Sequence, residues 1–235
     1  MPNYYAHFKC GELILERLPL ELREELERER AAFDLGCLGP DPLFFYRPWS
    51  LRNRPRAEAL RMHKKPGGPV LARLQKAMAA GDAASRGYAA GFLCHYAMDA
   101  ALHAYVLEEA GKGEYSHMKL EAGFDRHLMD LDGYRTPRLA GFPRAEKNPR
   151  IYEAGANAYE YAGAKALRAG YQTMSLDARL LAWLCGKGSE TVSRTLRGMM
   201  EDAVAETAER VQRFLGGEPL DEWYGRDFYG KRMDQ

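Results

Sequence analysis

The segment Gly91-Phe92-Leu93-Cys94-His95-Tyr96-Ala97-Met98-Asp99-Ala100-Ala101-Leu102-His103 decides how this chain is read. It lies inside the longest helical pattern of the sequence, which Asp82 caps and which runs from Ala83 to about Ala110. His95, Asp99 and His103 follow one another at steps of four. Four residues turn a helix by about 400°, so the three side chains drift only about 40° per step and form one stripe, each about 6 Å above the last. A carboxylate between two imidazoles can share an ion with either neighbour, or bridge two ions with its two oxygens. The next helical stretch repeats the device with His117, Glu121 and Asp125. Two facing helices that each present histidine and carboxylate at i, i+4 are what a metal cluster in a bundle core requires.

A single HxxxD or HxxxE is usually an exposed ion pair. Here the first sits among Phe92, Leu93, Cys94, Tyr96, Met98 and Leu102, where unpartnered polar groups would cost on the order of several kcal/mol. Partners are therefore expected. With nitrogen and oxygen ligands, four-coordinate zinc is the leading ion, and manganese or iron would accept the same set.

Outward from this centre the remaining pattern is helical. Helices are expected over Tyr5–Arg17, closed by Pro19, over Leu20–Phe33, and over Val70–Ala80. Another should run from a Ser116 cap to Leu131, and three more over Tyr152–Ala169, Ser175–Cys185 and Ser189–Leu215, with Gly186 and Gly188 as the last break. The proline-bearing stretch from Pro40 to Gly68 reads as an ordered loop packed down by Leu43, Phe44, Phe45, Tyr46 and Trp49. A polar excursion follows from Asp132 to Pro149. No segment alternates convincingly as a strand. The expected fold is all-α, a single irregular multi-helix bundle over residues 1–235 with the metal site between core helices.

Composition narrows the partners. The chain has 235 residues, with 34 Lys and Arg against 33 Asp and Glu, a formal charge of +1. Bulk coating of nucleic acid is therefore disfavoured, and no stable nucleic-acid partner is expected. The apolar run Leu180–Cys185 is far shorter than the roughly 20 residues of a membrane span. The opening residues show no basic, apolar, cleavable leader, so a soluble protein at a cytoplasmic address is expected. Cys10, Cys37, Cys94 and Cys185 are scattered without CxxC spacing and read as small buried hydrophobes. Oligomeric state is not legible.

Taken in order, these residues resemble the zinc-dependent phospholipase C family, whose fold is related to the single-strand-specific zinc nucleases. The likeness rests on His7 early in the first helix, Gly39-Pro40-Asp41, His63 within Arg61-Met62-His63-Lys64, the helix from Gly91 to His103, and His117-Met118-Lys119-Leu120-Glu121. The resemblance implies that Asp41, His63, His95 and Asp99 hold one zinc and that His103, His117 and Glu121 hold its neighbour. It further implies that Asp99 bridges toward a third ion approached by His7, so two or three Zn²⁺ are expected. In the secreted relatives an N-terminal Trp completes that third ion; here position 1 is Met. Those enzymes also place five residues between the helix aspartate and the next histidine, whereas three separate Asp99 from His103, which helical phase tolerates. Asp41 is implied as general base or as the group orienting the attacking water.

The implied activity is phospholipase C-like hydrolysis of a phosphodiester by zinc-activated water, on a phosphate-ester small molecule or a phospholipid head group. Two alternatives stand beside it: a non-catalytic metal-binding scaffold of the same fold, and a zinc-dependent nuclease. Among the other polar residues, Asp125 reads either as a hydrogen-bond partner of a ligating imidazole or as an ion pair. His127, rotated off the metal face, reads as structural or solvated. Arg52, Arg54, Arg56, Lys64 and Lys65 read as a solvated loop, with a phosphate or a membrane surface as the sharper alternative.

Overall fold

The computed structural model describes residues 4–134, 148–184 and 188–233, with Glu114 and 178–184 described by backbone alone. Among the described residues the chain is all-α. The helices are α1 (Tyr4–Arg17), α2 (Leu20–Arg28), α3 (Arg30–Cys37), α4 (Arg54–Met62), α5 (Gly68–Ala80), α6 (Ala83–Ala110), α7 (Glu114–Leu131), α8 (Arg150–Ala156), α9 (Ala164–Leu184) and α10 (Glu190–Leu215). Two 3-10 turns, Asp41–Phe45 and Glu222–Gly225, complete the regular structure. No described residue belongs to a strand; Arg226 and Arg232 form one isolated antiparallel bridge.

Helix α6 is the axis of the bundle. Asp82 caps it by accepting the Ser85 N–H at 3.0 Å, and Gly111 ends it at φ 65°. Between these ends the helix is buried on nearly every side. Helices α1, α3, α5, α7, α8 and α10 all pack against it. A helix apolar all round belongs in the middle of a bundle, and burial there makes any polar side chain it carries expensive unless satisfied.

The closest approach is between α3 and α6. A Cβ on Gly91 would stand 2.0 Å from the Phe33 carbonyl oxygen, and one on Gly36 would stand 2.2 Å from the Tyr88 carbonyl oxygen. Only two glycines facing each other allow backbones this near. The approach brings the end of α3, with Cys37, directly onto the middle of α6.

Several boundaries differ from the sequence reading, each for a local reason. The expected helix Leu20–Phe33 breaks at Glu29, which leaves helical backbone at φ −108°, ψ 29°. The break turns α3 so that Ala32, Phe33, Leu35, Gly36 and Cys37 are buried, while α2 buries only Leu26. The loop from Pro40 to Gly68 holds α4, whose first turn tolerates Pro55 because its missing N–H has no helical partner there. Helix α7 starts at Glu114 with Gly113 as its cap, ahead of Ser116. Ser175 lies inside α9, where its hydroxyl donates to the Gln172 carbonyl at 2.8 Å and caps nothing. The segment Tyr152–Ala169 is divided between α8 and the start of α9. Most of the stretch Asp132–Pro149, together with Cys185 and Gly186, lies outside the described residues. Cys10, Cys37 and Cys94 are buried and free.

Gly91→Ala should cost about 2–3 kcal/mol, because the new methyl drives α3 off α6 in a packed core. The urea midpoint measures it, and a midpoint equal to the parent's contradicts the backbone approach described.

Candidate metal centre

Four chain segments converge on the middle of α6. α1 brings His7. The 3-10 turn after α3 brings Asp41, the C-terminal cap of α4 brings His63, and α7 brings His117 and Glu121. α6 itself supplies His95, Asp99 and His103. Of these eight residues all but His117 are buried.

Asp99 sits at the centre. Its Oδ1 lies 3.5 Å from His7 Nε2 and 3.3 Å from His103 Nδ1. Its Oδ2 lies 3.3 Å from His95 Nε2 and 3.7 Å from His63 Nε2. Beside it, His63 Nε2 is 3.3 Å from Asp41 Oδ1. His103 reaches from Asp99 across to Glu121, whose Oε1 is 3.5 Å from His103 Nε2 and 2.8 Å from His117 Nε2. The structure thus brings all eight sequence-selected residues into three groups, two of which share His95: Asp41 with His63 and His95, His7 with His95 and Asp99, and His103 with His117 and Glu121. Within each group the ligand atoms lie within 4.8 Å of one another.

Backbone carbonyls fix which imidazole nitrogen faces inward. His63 Nδ1 lies 2.9 Å from the Ala59 carbonyl and His95 Nδ1 lies 3.2 Å from the Cys37 carbonyl. A carbonyl can only accept, so both Nδ1 atoms carry the proton, and in the neutral ring each Nε2 presents a lone pair to the carboxylates beside it. Lone pairs facing carboxylate oxygens repel unless a cation lies between them. Asp41 Oδ1, His63 Nε2, His95 Nε2, Asp99 Oδ2 and His103 Nδ1 are all buried with no hydrogen-bond partner among the described residues. So many orphaned donor-set atoms facing one another fit divalent ions coordinated by nitrogen and oxygen.

Burial works against charge on every group, yet Asp99 and Glu121 push His103 up to about 9, and Asp99 together with Asp41 raises His95. Burial, helped by the neighbouring His95, lowers His7 to about 3, so that its imidazole stays neutral and free to ligate. The His7 and His95 rings stack with centroids 4.2 Å apart.

The loop carrying Asp41 is held from below. Gly39, at φ 51°, lies so close to His95 that a Cβ would stand 2.3 Å from the ring. Tyr159 donates its hydroxyl to the Gly39 carbonyl at 2.9 Å, and the Tyr88 hydroxyl meets that of Tyr159 at 3.0 Å. This buried chain of hydroxyls fixes the approach to Asp41.

Some roles were not legible beforehand. Asp125 neither supports an imidazole nor pairs with a cation: its two oxygens accept the N–H groups of Tyr5 (3.1 Å) and Ala6 (2.9 Å). It caps α1 from α7 and so sets the position of His7. Burial pushes its pKa up against those two donors. Phe228 and Tyr229, beyond the last long helix, pack onto the site. The Phe228 ring is 5.0 Å from that of His63 and 5.9 Å from that of His95, and its N–H donates to the His63 carbonyl at 3.2 Å. The Tyr229 ring lies 5.2 Å from His103; burial, with Asp99 and Asp41 nearby, pushes its phenol up. Phe44 covers His63 at 5.2 Å. The readable signal was the run Asp227-Phe228-Tyr229 between Gly225 and Gly230, where Asp227 Oδ1 gathers the N–H groups of Tyr229 and Lys231 into a turn. His127 lies outside the three groups. Trp49, expected to pack down with its aromatic neighbours, is instead exposed.

A narrow cleft opens on the centre. His7, Asp41, Asp99, His103 and Glu121 line its polar side, and Met98, Leu102 and Val106 its apolar wall.

Asp125→Ala should leave the first-turn donors of α1 unpaired and lower stability by about 2 kcal/mol. Asp125→Asn retains one acceptor and recovers part of that loss. Thermal unfolding of the two variants measures the difference, and equal stability of Asp125→Ala and parent contradicts the cap.

Searches among curated proteins and among solved structures returned no match. Residues 6–186, which include all eight site residues, match the family model described as zinc dependent phospholipase C. With that match covering most of its length, the chain belongs to the zinc-dependent phospholipase C family.

Proposed function

We propose that the protein is a zinc-dependent phosphoesterase that hydrolyses a phosphodiester in the manner of a phospholipase C. Membership of the family and the three histidine–carboxylate groups support a metal-dependent, hydrolase-like function. The observation that carries the reading is the set of buried Nε2, Nδ1 and carboxylate atoms that face one another with no hydrogen-bond partner among the described residues. Asp41, His63, His95 and Asp99 would hold one zinc and His103, His117 and Glu121 a second, with His7 and Asp99 offering a place for a third. Bound zinc supplies Lewis acidity to a phosphoryl oxygen and lowers the pKa of a coordinated water toward neutrality.

The chain's own residues have distinct tasks in this scheme. Three carboxylates, Asp41, Asp99 and Glu121, bring the negative charge that divalent ions neutralise. The Ala59 and Cys37 carbonyls orient His63 and His95, as supporting groups commonly do at metal sites. The pKa of Asp41 is held down although burial opposes its charge, contact with His63 and the nearness of His95 being among the causes. An ionised carboxylate lining the cleft suits a general base. Asp41 would take the proton of the attacking water as its oxygen bonds phosphorus and the leaving alkoxide departs. The substrate would be a phosphate-ester small molecule or a phospholipid head group whose phosphate reaches the centre through the narrow cleft. Residues 1–235 would work as one unit, since Phe228 and Tyr229 pack on the centre from beyond the matched segment.

Protein purified without chelator should contain zinc by elemental analysis and should turn over a generic phosphodiester. Chelation should lower Tm and abolish turnover, and added zinc should restore both. No bound metal removes the reading; bound zinc without turnover of any ester replaces it with a metal-binding scaffold. Asp41→Asn should retain most of the zinc while kcat falls by roughly a hundredfold or more, the usual range for loss of a general base. An unchanged rate takes Asp41 out of the chemistry.

A further inference from the structure

The loop between the 3-10 turn that carries Asp41 and helix α4, which His63 caps, exposes two large apolar side chains close together in the chain. Trp49 is 80% exposed and Leu51 is fully exposed. They are not slack chain. Asn53 ties the neck of the loop: its side-chain amide donates to the Tyr46 and Arg47 carbonyls, and its Oδ1 accepts the Arg56 N–H at 3.1 Å. Within the loop the Ser50 N–H returns to the Arg47 carbonyl at 2.9 Å, and Arg47 itself is held at φ 44°. An ordered loop therefore holds a tryptophan and a leucine out in solvent, a standing cost in water that nothing in the fold repays.

The charge around them is equally one-sided. From Pro42 to Gly81 the sequence carries nine Lys or Arg and one acid, Glu58. Glu58 is buried and spends its carboxylate on the backbone N–H groups of Glu160 and Tyr161. Arg47, Arg52, Arg54 and Arg56 are exposed, as are Arg61, Lys64 and Lys65 beyond them. None of these seven has a carboxylate partner among the described residues. The remainder of the chain, with 25 basic against 32 acidic residues, is acidic. The formal +1 therefore hides a strongly cationic face.

We infer that the loop from Arg47 to Arg56 is a docking surface for an anionic lipid bilayer. Trp49 seats at the level of the head groups, Leu51 enters the acyl boundary, and the arginines meet the lipid phosphates. The pairing of an amphipathic aromatic with basic residues is what a membrane interface selects. A nucleic acid would match the arginines and could stack on Trp49, but it offers no hydrocarbon for Leu51; the bilayer accounts for both. Binding would be peripheral, since no described helix is long and apolar enough to cross a membrane. The surface goes beyond the phosphoesterase reading and does not depend on it, so its test reads binding and not turnover.

The full chain is spun with vesicles of phosphatidylcholine containing phosphatidylglycerol and with vesicles of phosphatidylcholine alone. Co-sedimentation should occur with the anionic vesicles, weaken as salt rises, and be accompanied by a blue shift of tryptophan emission that the Trp49→Phe variant lacks. The double variant Trp49→Ala with Leu51→Ala should lose roughly tenfold or more in partitioning. The triple variant Arg52→Gln, Arg54→Gln, Arg56→Gln should lose roughly a hundredfold. Circular dichroism confirms that each variant is folded, and the emission shift of the unmodified chain stands as evidence even if one is not. Absence of sedimentation with anionic vesicles overturns the inference, as does undiminished partitioning of the double variant. Displacement from vesicles by a single-stranded oligonucleotide, bound equally well by the double variant, overturns it in favour of nucleic acid.

Discussion

A carboxylate buried at the axis of the bundle and ringed by imidazoles is the constraint on which this structure turns. Asp99 has four histidine nitrogens within 3.7 Å, from α1, from the end of α4 and from two turns of its own helix. Burying an ionised group without compensation costs several kcal/mol even after relaxation, on the order of a domain's whole stability. Compensation cannot come from those imidazoles as neutral donors, because His63 and His95 have already given their Nδ1 protons to the Ala59 and Cys37 carbonyls. What their neutral rings turn toward Asp99 is lone pairs, and a metal ion or a proton has to lie between. Divalent ions in the cluster would supply the missing compensation, so their binding would add to the stability of the fold.

The surrounding packing serves that cluster. Gly36 and Gly91 let α3 touch α6 backbone to backbone, and the contact delivers the Cys37 carbonyl to His95. Gly39 leaves room for the same ring from the other side, and the hydroxyls of Tyr159 and Tyr88 hold Gly39 in place. Asp125 on α7 caps α1 and thereby places His7. Phe228, from the far end of the chain, closes over His63 and His95. His7, His63 and His95 are each set by a neighbour that is itself set by burial or by a backbone hydrogen bond, which is how a site comes to be held more tightly than surface side chains allow.

The parts of this arrangement that were readable in the sequence are those in which function shares the period of a helix. His95, Asp99 and His103 repeat at four, and so do His117 and Glu121; one helical turn is local, and its phase survives folding. The all-α class followed from the same periodicity. What escaped was non-local. The kink at Glu29 serves the docking of α3 on α6 and has no proline or glycine at the break itself to announce it. Helix α4 was hidden by Pro55, which reads as a breaker until its place in the first turn is known. Asp125 shares the i, i+4 spacing of the ligands, yet its carboxylate is taken by backbone donors of a helix 119 and 120 residues away. Phe228 and Tyr229 lie in a short turn where period carries no information, and only the assembled chain shows them against the histidines.

Charge shows the same division between local and global. A formal +1 describes a chain with no field, but the molecule distributes its charge unevenly. The centre gathers three carboxylates that burial would otherwise forbid, and the segment from Pro42 to Gly81 gathers nine cationic side chains with one inward-turned acid. The two regions are joined by chain, since the arginine-bearing loop begins just after Asp41 and its helix ends at His63. On the proposed reading divalent ions convert the carboxylate pocket into an electropositive one, and the exposed arginines add a second attraction of the same sign beside it. The pocket's share is short-ranged and tied to coordination, whereas the loop's share is screened by salt within about 10 Å. A phosphate ester in solution would feel chiefly the first. One embedded in an anionic surface would feel both, because the surface itself binds the loop, and net charge, which averages the two, records neither.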